Sequence, residues 1–214
     1  MDNKRLKLFM FHLSIDDMSF KTEEARRLMR LKLVNQSQVI NHIEKVVKKA
    51  VEIGKILKEK GFNIDLELLE MGAYLHDIGR TVTHGVRHGI EGGKILRNLD
   101  YPESLINMVE RHVGAGITAE EAVKLGLPNK DYIPQTLEEK IIAYADKFLE
   151  SGFVFNTVKG EQTVDRKEVE YKSIETTLDR FRKQFGKNNP IVLRLEHLRD
   201  EIENLINYKK ECNT

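Results

Sequence analysis

The sequence lacks most of the features that mark secreted, membrane-spanning or nucleic-acid-coating proteins. It contains one cysteine, Cys212, so it holds neither a disulfide framework nor a thiolate metal site. No apolar run approaches the roughly 20 residues that a membrane-spanning helix needs. The 35 lysines and arginines nearly balance the 34 aspartates and glutamates, which leaves no global basic field for nucleic acid. We therefore expect a cytoplasmic protein with no membrane or nucleic-acid partner.

Proline is scarce, whereas apolar residues are abundant and recur at helical spacing. Only four prolines occur in 214 residues, so helices meet few interruptions. Hydrophobic residues make up 40% of the chain, enough to build a core. This pattern predicts an all-α fold. We divide it into an N-terminal helical segment at 1–36, a core domain at 37–150 and a C-terminal helical extension at 151–214.

Polar residues before the apolar-periodic segments predict where several helices begin. Ser37 and Asp65 stand before two such segments, and Thr118 stands before a short one. Thr136, followed by Glu139 three residues later, matches the capping-box pattern. We therefore expect helices to begin at these four positions.

The helical pattern weakens beyond residue 151. Residues 153–158 fit either an extended segment or a loop. Two charged helices are predicted after them, at about 168–185 and 191–208. A homodimer through these extensions is one expectation, although their heptad regularity is too poor for a coiled coil.

Histidines and two aspartates are the residues most able to carry chemistry. Five of the seven histidines fall in one stretch, at His42, His76, His84, His88 and His112. A single helical histidine is more often packed or exposed than a ligand, but these recur at the edges of successive apolar faces. Asp146 lies on an apolar face, where an ionised carboxylate costs several kcal/mol unless a cation or strong partners compensate. A structural ion pair is the alternative explanation for it.

The motif His76-Asp77-Ile78-Gly79 resembles the signature of the HD-domain metal-dependent phosphohydrolases. An upstream helical histidine of that family is matched by His42. Its downstream aspartate is matched by Asp146 in an Ala-Tyr-Ala-Asp context. The resemblance implies an HD-domain helical bundle with additional C-terminal helices.

His88 and His112 are similar to the third and fourth histidines of the family's binuclear subgroup. The resemblance thus implies two divalent ions held by His42, His76, Asp77, His88, His112 and Asp146. A carboxylate has two oxygens, so Asp77 is expected to bridge the ions. Imidazole and carboxylate ligands suit several metals; we expect iron or manganese, with zinc, cobalt or nickel as alternatives.

Residues 111–118 and 137–141 resemble a small archaeal branch of the family. The Gly-Tyr-Pro motif of the cyclic-dinucleotide phosphodiesterases is absent, so cyclic di-GMP is not an expected substrate. Related archaeal enzymes include a phosphodiesterase that opens the cyclic phosphate of dihydroneopterin. The resemblance implies a phosphohydrolase for a small nucleotide-like ester, with opening of a 2′,3′-cyclic phosphate as the leading expectation. Phosphomonoester hydrolysis, dinucleoside polyphosphate cleavage, di-iron oxidation and a metal-bearing nucleotide sensor are the alternatives.

Cationic side chains near the motif are candidates for contacting phosphate. Asp77 and Arg80 are the expected catalytic residues, together with His84 as a proton donor or substrate contact. Further substrate-binding candidates are Arg87, Arg111 and Lys147, each next to an expected ligand. Glycines at 85, 89, 92 and 93 indicate either close helix packing around the metals or a longer loop.

Overall fold

The structure, a computed structural model, describes residues 18–148, 153–158, 161–166 and 173–208. Helices dominate these ranges, which confirms the predicted all-α fold. In chain order they are α1 (Met18–Lys32), α2 (Ser37–Glu59), α3 (Leu66–Leu75), α4 (His88–Asn98), α5 (Glu103–Arg111), α6 (Ala119–Lys124), α7 (Leu137–Phe148), α8 (Ile174–Phe185) and α9 (Pro190–Asn207). A 3-10 turn at Ile78–Thr81 follows α3.

Capping side chains set the beginnings of several helices. The Asp65 carboxylate accepts a hydrogen bond from the backbone N–H of Leu68 at the start of α3. Thr118 forms a reciprocal capping box with Glu121 at the start of α6. Ser37, however, is already the first residue of α2, and the capping position belongs to the residue before it. The predicted cap at Ser37 is therefore wrong by one residue.

The main core lies where α2 packs against α3 and α7, while α1 packs on α3. The face of α2 that the sequence pattern marked as apolar is buried, at Val39, Ile43, Val46, Val47, Ala50, Ile53 and Leu57. Complete burial of one such aliphatic side chain stabilises the fold by roughly 1.5–3 kcal/mol. His42 is buried on the same helix, so the packing that forms the core also turns this imidazole inward.

A second, smaller apolar cluster lies under the segment that follows α5. It consists of Ile90, Ile117, Ala122, Leu127 and Tyr132, with Val86 and Val113 packed against it. The backbones of Ile117 and Tyr132 exchange hydrogen bonds of 3.4 and 2.7 Å. This cluster fixes the segment between α5 and α7 against the start of α4.

A short antiparallel hairpin follows α7, with β1 at Phe153–Val158 and β2 at Glu161–Arg166. Its register runs from Phe153 opposite Arg166 to Val158 opposite Glu161. The sequence left the first strand open and did not predict the second. The predicted helix start at about 168 falls on residues 167–172, which lie outside the described ranges; the described helix α8 begins at Ile174.

The C-terminal helices α8 and α9 pack on α7, and α9 also contacts α2. Their buried apolar residues, including Ile174, Leu178, Leu195 and Ile202, belong to the main core. Helices α8 and α9 therefore share one core with the residues before 150, while the division at 36 and 150 stays a prediction. Among the described helices, none combines the length and apolar character that crossing a membrane requires.

Candidate metal centre

Glycines let the backbone of α4 lie in direct contact with the backbones of the 3-10 turn and of α5. A Cβ on Gly79 would lie 1.9 Å from the carbonyl oxygen of His88 and 2.5 Å from the nitrogen of Gly92. A Cβ on Gly89 would lie 3.2 Å from backbone oxygens of α5. Side chains at these positions would force the elements apart. Of the two interpretations left open for the glycines, close helix packing is the correct one at 89 and 92.

This packing brings Asp77, His88 and His112 together in what we term the second ligand group. All three are buried, and one ligand atom from each lies within 4.8 Å of the others. The Nε2 atoms of the two histidines are 3.0 Å apart. The Asp77 Oδ1 oxygen lies 3.2 Å from Nε2 of His88 and 3.6 Å from that of His112. Three ligand atoms thus converge on one point.

Asp77 also belongs to a first ligand group, which we define as His42, His76, Asp77 and Asp146. Nε2 of His42 lies 2.9 Å from Oδ1 of Asp146 and 3.9 Å from Oδ2 of Asp77. Nε2 of His76 lies 3.7 Å from that same Asp77 oxygen and 3.8 Å from Asp146. Asp77 therefore directs Oδ2 to the first group and Oδ1 to the second.

Backbone carbonyls orient three of the four histidines. Nδ1 of His76, His88 and His112 donates to the carbonyl of the residue three positions earlier, at 2.7, 2.8 and 2.7 Å. A carbonyl can only accept, so each Nδ1 carries the proton and, in the neutral ring, each Nε2 keeps a lone pair. This second-nitrogen hydrogen bond is the usual arrangement for metal-binding histidines.

Charge and burial favour the protonation states that a divalent cation requires. Burial lowers the pKa of His76 to about 3, so the imidazole is neutral at pH 7. Burial opposes ionisation of Asp77, but the Arg80 guanidinium together with the histidine contacts holds the pKa of that carboxyl well below its usual value. Burial likewise opposes ionisation of Asp146, and the Lys147 ammonium leads the contacts that bring its pKa well below the usual value. Neutral imidazole and ionised carboxylate are the metal-binding forms.

Unpaired acceptors show that these residues fit a cation. Asp77 Oδ1 and His76 Nε2 are buried without a hydrogen-bond partner among the described residues. Burial lowers the pKa of His88, which favours its neutral ring, so a lone pair on its Nε2 faces His112 Nε2 at 3.0 Å. Acceptors that converge without a donor are costly unless a cation lies between them. The donor set therefore fits divalent metal ions.

Two of the expected phosphate-binding cations contact the ligand groups directly. Nε of Arg80 donates to Oδ2 of Asp77 at 2.5 Å, and Nζ of Lys147 pairs with Oδ2 of Asp146. The exposed residue His84 contributes its backbone carbonyl to Arg80 at 3.5 Å. The roles expected of these three residues stay predictions.

The other two cations make their described contacts elsewhere. Nη1 of the exposed Arg87 donates to the carbonyl of Gly126 at 2.8 Å. Nη1 of Arg111 lies 3.0 Å from each carboxylate oxygen of Glu139. The structure brings neither guanidinium to the ligand groups in a described contact, and a substrate role for either stays a prediction.

Sequence reasoning missed two side chains that fix the surroundings of the site. Glu139 is buried and joins α7 to α5 by binding Arg111, and its Oε2 also accepts from the backbone N–H of Gln135 at 2.6 Å. Only half of the predicted capping box forms. The Thr136 hydroxyl accepts from the backbone N–H of Glu139, but the Glu139 carboxylate accepts from the backbone N–H of Gln135 rather than from that of Thr136. The amide of Gln36 donates to the Arg80 carbonyl at 3.2 Å. No periodic pattern marks that glutamine.

Comparisons with known proteins agree with this geometry. An uncharacterized protein of Methanocaldococcus jannaschii is 44% identical over 184 residues, which are 86% of this chain and 99% of that protein. The tRNA (cytidine(56)-2′-O)-methyltransferase of Picrophilus torridus is 44% identical over 135 residues, which are 63% of this chain but only 38% of the methyltransferase. Both relatives come from archaea.

A solved structure, the HD domain of the L. monocytogenes phosphodiesterase PgpH in complex with cyclic-di-AMP, is 16% identical and has a TM-score of 0.48. It covers 87% of this chain and 99% of that one. The HD domain family model matches residues 39–150, just over half of the chain, and this range contains the six expected ligands. The protein therefore belongs to the HD-domain family of metal-dependent phosphohydrolases.

Proposed function

We propose that this protein hydrolyses a small phosphate ester at two divalent metal ions, one in each ligand group. The observation that carries the proposal is Asp77, whose two carboxylate oxygens face different groups of buried histidine nitrogens. A single carboxylate placed in this way is suited to bridging two cations. The ligands proposed are His42, His76, Asp77 and Asp146 for one ion and Asp77, His88 and His112 for the other.

We propose iron or manganese as the metal, since the ligands are nitrogen and oxygen without thiolate. Zinc, cobalt and nickel fit the same donors. When bound, a pair of such ions activates a water for attack on phosphorus and neutralises charge on the phosphoryl oxygens. The chain itself supplies the geometry, the exclusion of bulk water by burial, and the nearby cations.

Arg80 and Lys147 are proposed to bind the phosphoryl oxygens of the substrate. Each cation lies beside a ligand carboxylate, so each is at the edge of the space where phosphate would sit. A guanidinium can bind two phosphate oxygens at once, which orients the ester. His84 is exposed, and its backbone carbonyl accepts from Arg80; histidine is the side chain that most often serves as a general acid. It is proposed as the proton donor to the leaving oxygen.

We propose a cyclic phosphodiester, and specifically a 2′,3′-cyclic phosphate, as the substrate class. Support comes from the resemblance to the archaeal branch that includes a cyclic phosphodiesterase, and from the archaeal relatives. The near balance of charge in the chain favours a small ester over a nucleic acid. The tRNA-methylating relative supports testing an RNA end as well, since RNA chains can end in the same cyclic phosphate.

The test is a panel of esters offered to protein purified without oxygen and supplied with Mn²⁺ or Fe²⁺. The panel holds 2′,3′-cyclic nucleotides, a cyclic pterin phosphate, a short RNA ending in a 2′,3′-cyclic phosphate, phosphomonoesters and dinucleoside polyphosphates. Asp77→Ala serves as the blank, and chelated protein as a second blank. We expect ring opening of a cyclic ester without release of free phosphate.

Other outcomes contradict the proposal in distinguishable ways. Free phosphate from monoesters would make the enzyme a phosphatase or nucleotidase, and cleavage of dinucleoside polyphosphates would change the substrate class. Turnover of the RNA alone would overturn the small-molecule assignment. Metal binding without turnover of any ester would favour the sensor or oxidative alternatives. Activity that survives both chelation and Asp77→Ala would overturn the metal mechanism.

A further inference from the structure

A residue of the C-terminal extension holds the end of the helix that carries Asp146. The hydroxyl of Thr177, on α8, donates to the backbone carbonyl of Lys147 at 2.9 Å. Thr177 is completely buried. Lys147 lies in the last described turn of α7, whose described residues are Leu137–Phe148.

The same extension holds α7 at two earlier points. The side chains of Lys140 and Tyr144 bond to Glu201 and Glu203 of α9, at 2.6 and 3.2 Å. These contacts bind α7 at residues 140 and 144, whereas Asp146 lies further along α7 and is buried beside His42. The threonine contact is the one nearest in sequence to Asp146.

We propose that Thr177 is a positioning residue for Asp146. Its hydroxyl fixes the last turn of α7, which keeps the Asp146 carboxylate beside His42, where the first ligand group holds an ion. This inference rests on the proposed function, in which Asp146 is a ligand. It also gives the extension a part in the site, although the ligand groups found among the described residues draw no member from α8 or α9.

The test measures metal affinity and needs no turnover. Full-length wild-type protein and three variants are titrated with Mn²⁺ by isothermal calorimetry. Thr177→Val removes the hydroxyl at nearly constant volume, and Thr177→Ser restores it. Thr176→Val is the matched control, because Thr176 is its exposed neighbour, whose hydroxyl lies 3.3 Å from that of Ser173. Thermal unfolding confirms that each variant is folded.

We expect Thr177→Val to bind one of the two ions about tenfold more weakly, the lower end of the loss seen when an outer contact of a metal ligand is removed. Thr177→Ser and Thr176→Val should stay within about twofold of wild type, because both keep the hydrogen bond to α7. If the valine variant does not fold, Thr177→Ala is compared with Thr177→Ser in its place.

Unchanged affinity in folded Thr177→Val would overturn the inference while leaving the proposed function intact. Equal weakening in Thr176→Val would also overturn it, because the effect would then be a general loosening of α8. Wild-type protein that binds no Mn²⁺ would overturn the metal site itself, and the positioning role with it.

Discussion

The two ligand groups that share Asp77 are assembled in different ways. The second group combines Asp77 with histidines from the start of α4 and the end of α5, and both imidazoles are oriented by carbonyls three residues back. The first group joins His42 of α2 to Asp146 of α7 across 104 residues of sequence. Local carbonyl contacts thus set both ring orientations in the second group, whereas the pairing of His42 with Asp146 in the first group depends on packing between distant helices.

Their charge differs as well. The first group contains two carboxylates, each with a cation beside it, whereas the second has only the shared carboxylate. Two carboxylates attract a divalent ion more strongly than one. We therefore expect the first group to bind its ion more tightly, although local contacts orient both histidines of the second group.

Asp77→Ala removes the residue that both groups share, so it should have the largest effect. We expect neither ion to bind, with affinity lowered by more than about a hundredfold, while most of the helix content remains. Equilibrium dialysis with Mn²⁺ and circular dichroism measure the two quantities. Asp200→Ala is the matched control, since this carboxylate is exposed on α9. Retention of two ions by the Asp77 variant would show that the groups are independent.

Single-histidine changes separate the groups and should have the next largest effect. His42→Ala and His88→Ala are each expected to lower the Mn²⁺ stoichiometry from two ions to one. The ion left in His88→Ala should bind about tenfold more tightly than the ion left in His42→Ala, because it keeps two carboxylates. Calorimetry measures both values. His197→Ala, which alters an imidazole on the exposed face of α9, should bind two ions as wild type does. The reverse order of affinities would contradict the charge argument.

Gly79→Ala tests the close packing that presents the second group. The added Cβ meets backbone atoms of α4, which cannot move aside as a side chain does, so we expect a loss of about 2 kcal/mol in the free energy of unfolding. Gly85→Ala is the control, because its Cβ would meet only the Thr83 hydroxyl oxygen at 3.7 Å. Urea unfolding distinguishes them. Equal stability of the two variants would mean that the backbones separate without cost.

The smallest effect is expected for Arg87→Ala. The exposed guanidinium of Arg87 donates to a loop carbonyl. Its loss should therefore change KM by no more than about twofold, and the free energy of unfolding by no more than about 1 kcal/mol. Arg80→Ala should raise KM more strongly, because the Arg80 guanidinium is paired with Asp77, the carboxylate that both ligand groups share. Steady-state kinetics on the ester that the panel identifies make the comparison. A larger effect on KM from Arg87→Ala than from Arg80→Ala would instead assign phosphate binding to Arg87, which precedes His88 of the second ligand group.

Helices and their ends were predictable where the cause is local. Asp65 and Thr118 cap because their short side chains reach a backbone N–H within three residues. Gly61 ends α2 with φ of 93°, a conformation that glycine adopts without strain. The second strand of the hairpin was not predictable from such signals, since a strand is stabilised by its partner rather than by its own sequence.

Residues that bond across the fold were the hardest to interpret from sequence. Glu139 looked like half of a capping box, yet most of its carboxylate contacts go to Arg111, 28 positions earlier. Arg111 stands next to a ligand histidine in sequence, but successive helical residues point about 100° apart. Adjacency in the chain therefore did not place its guanidinium in the site.

The sequence by itself determined the helical fold and the family, and it predicted six ligand residues, because periodicity, caps and the His-Asp motif are all short-range patterns. Only the tertiary structure decided which of these six side chains lie close together. That outcome depends on glycines that let α4 touch the turn at Gly79, and on the packing that brings His42 to within 2.9 Å of Asp146. Side-chain packing between distant segments selects such distances, and no local pattern encodes them.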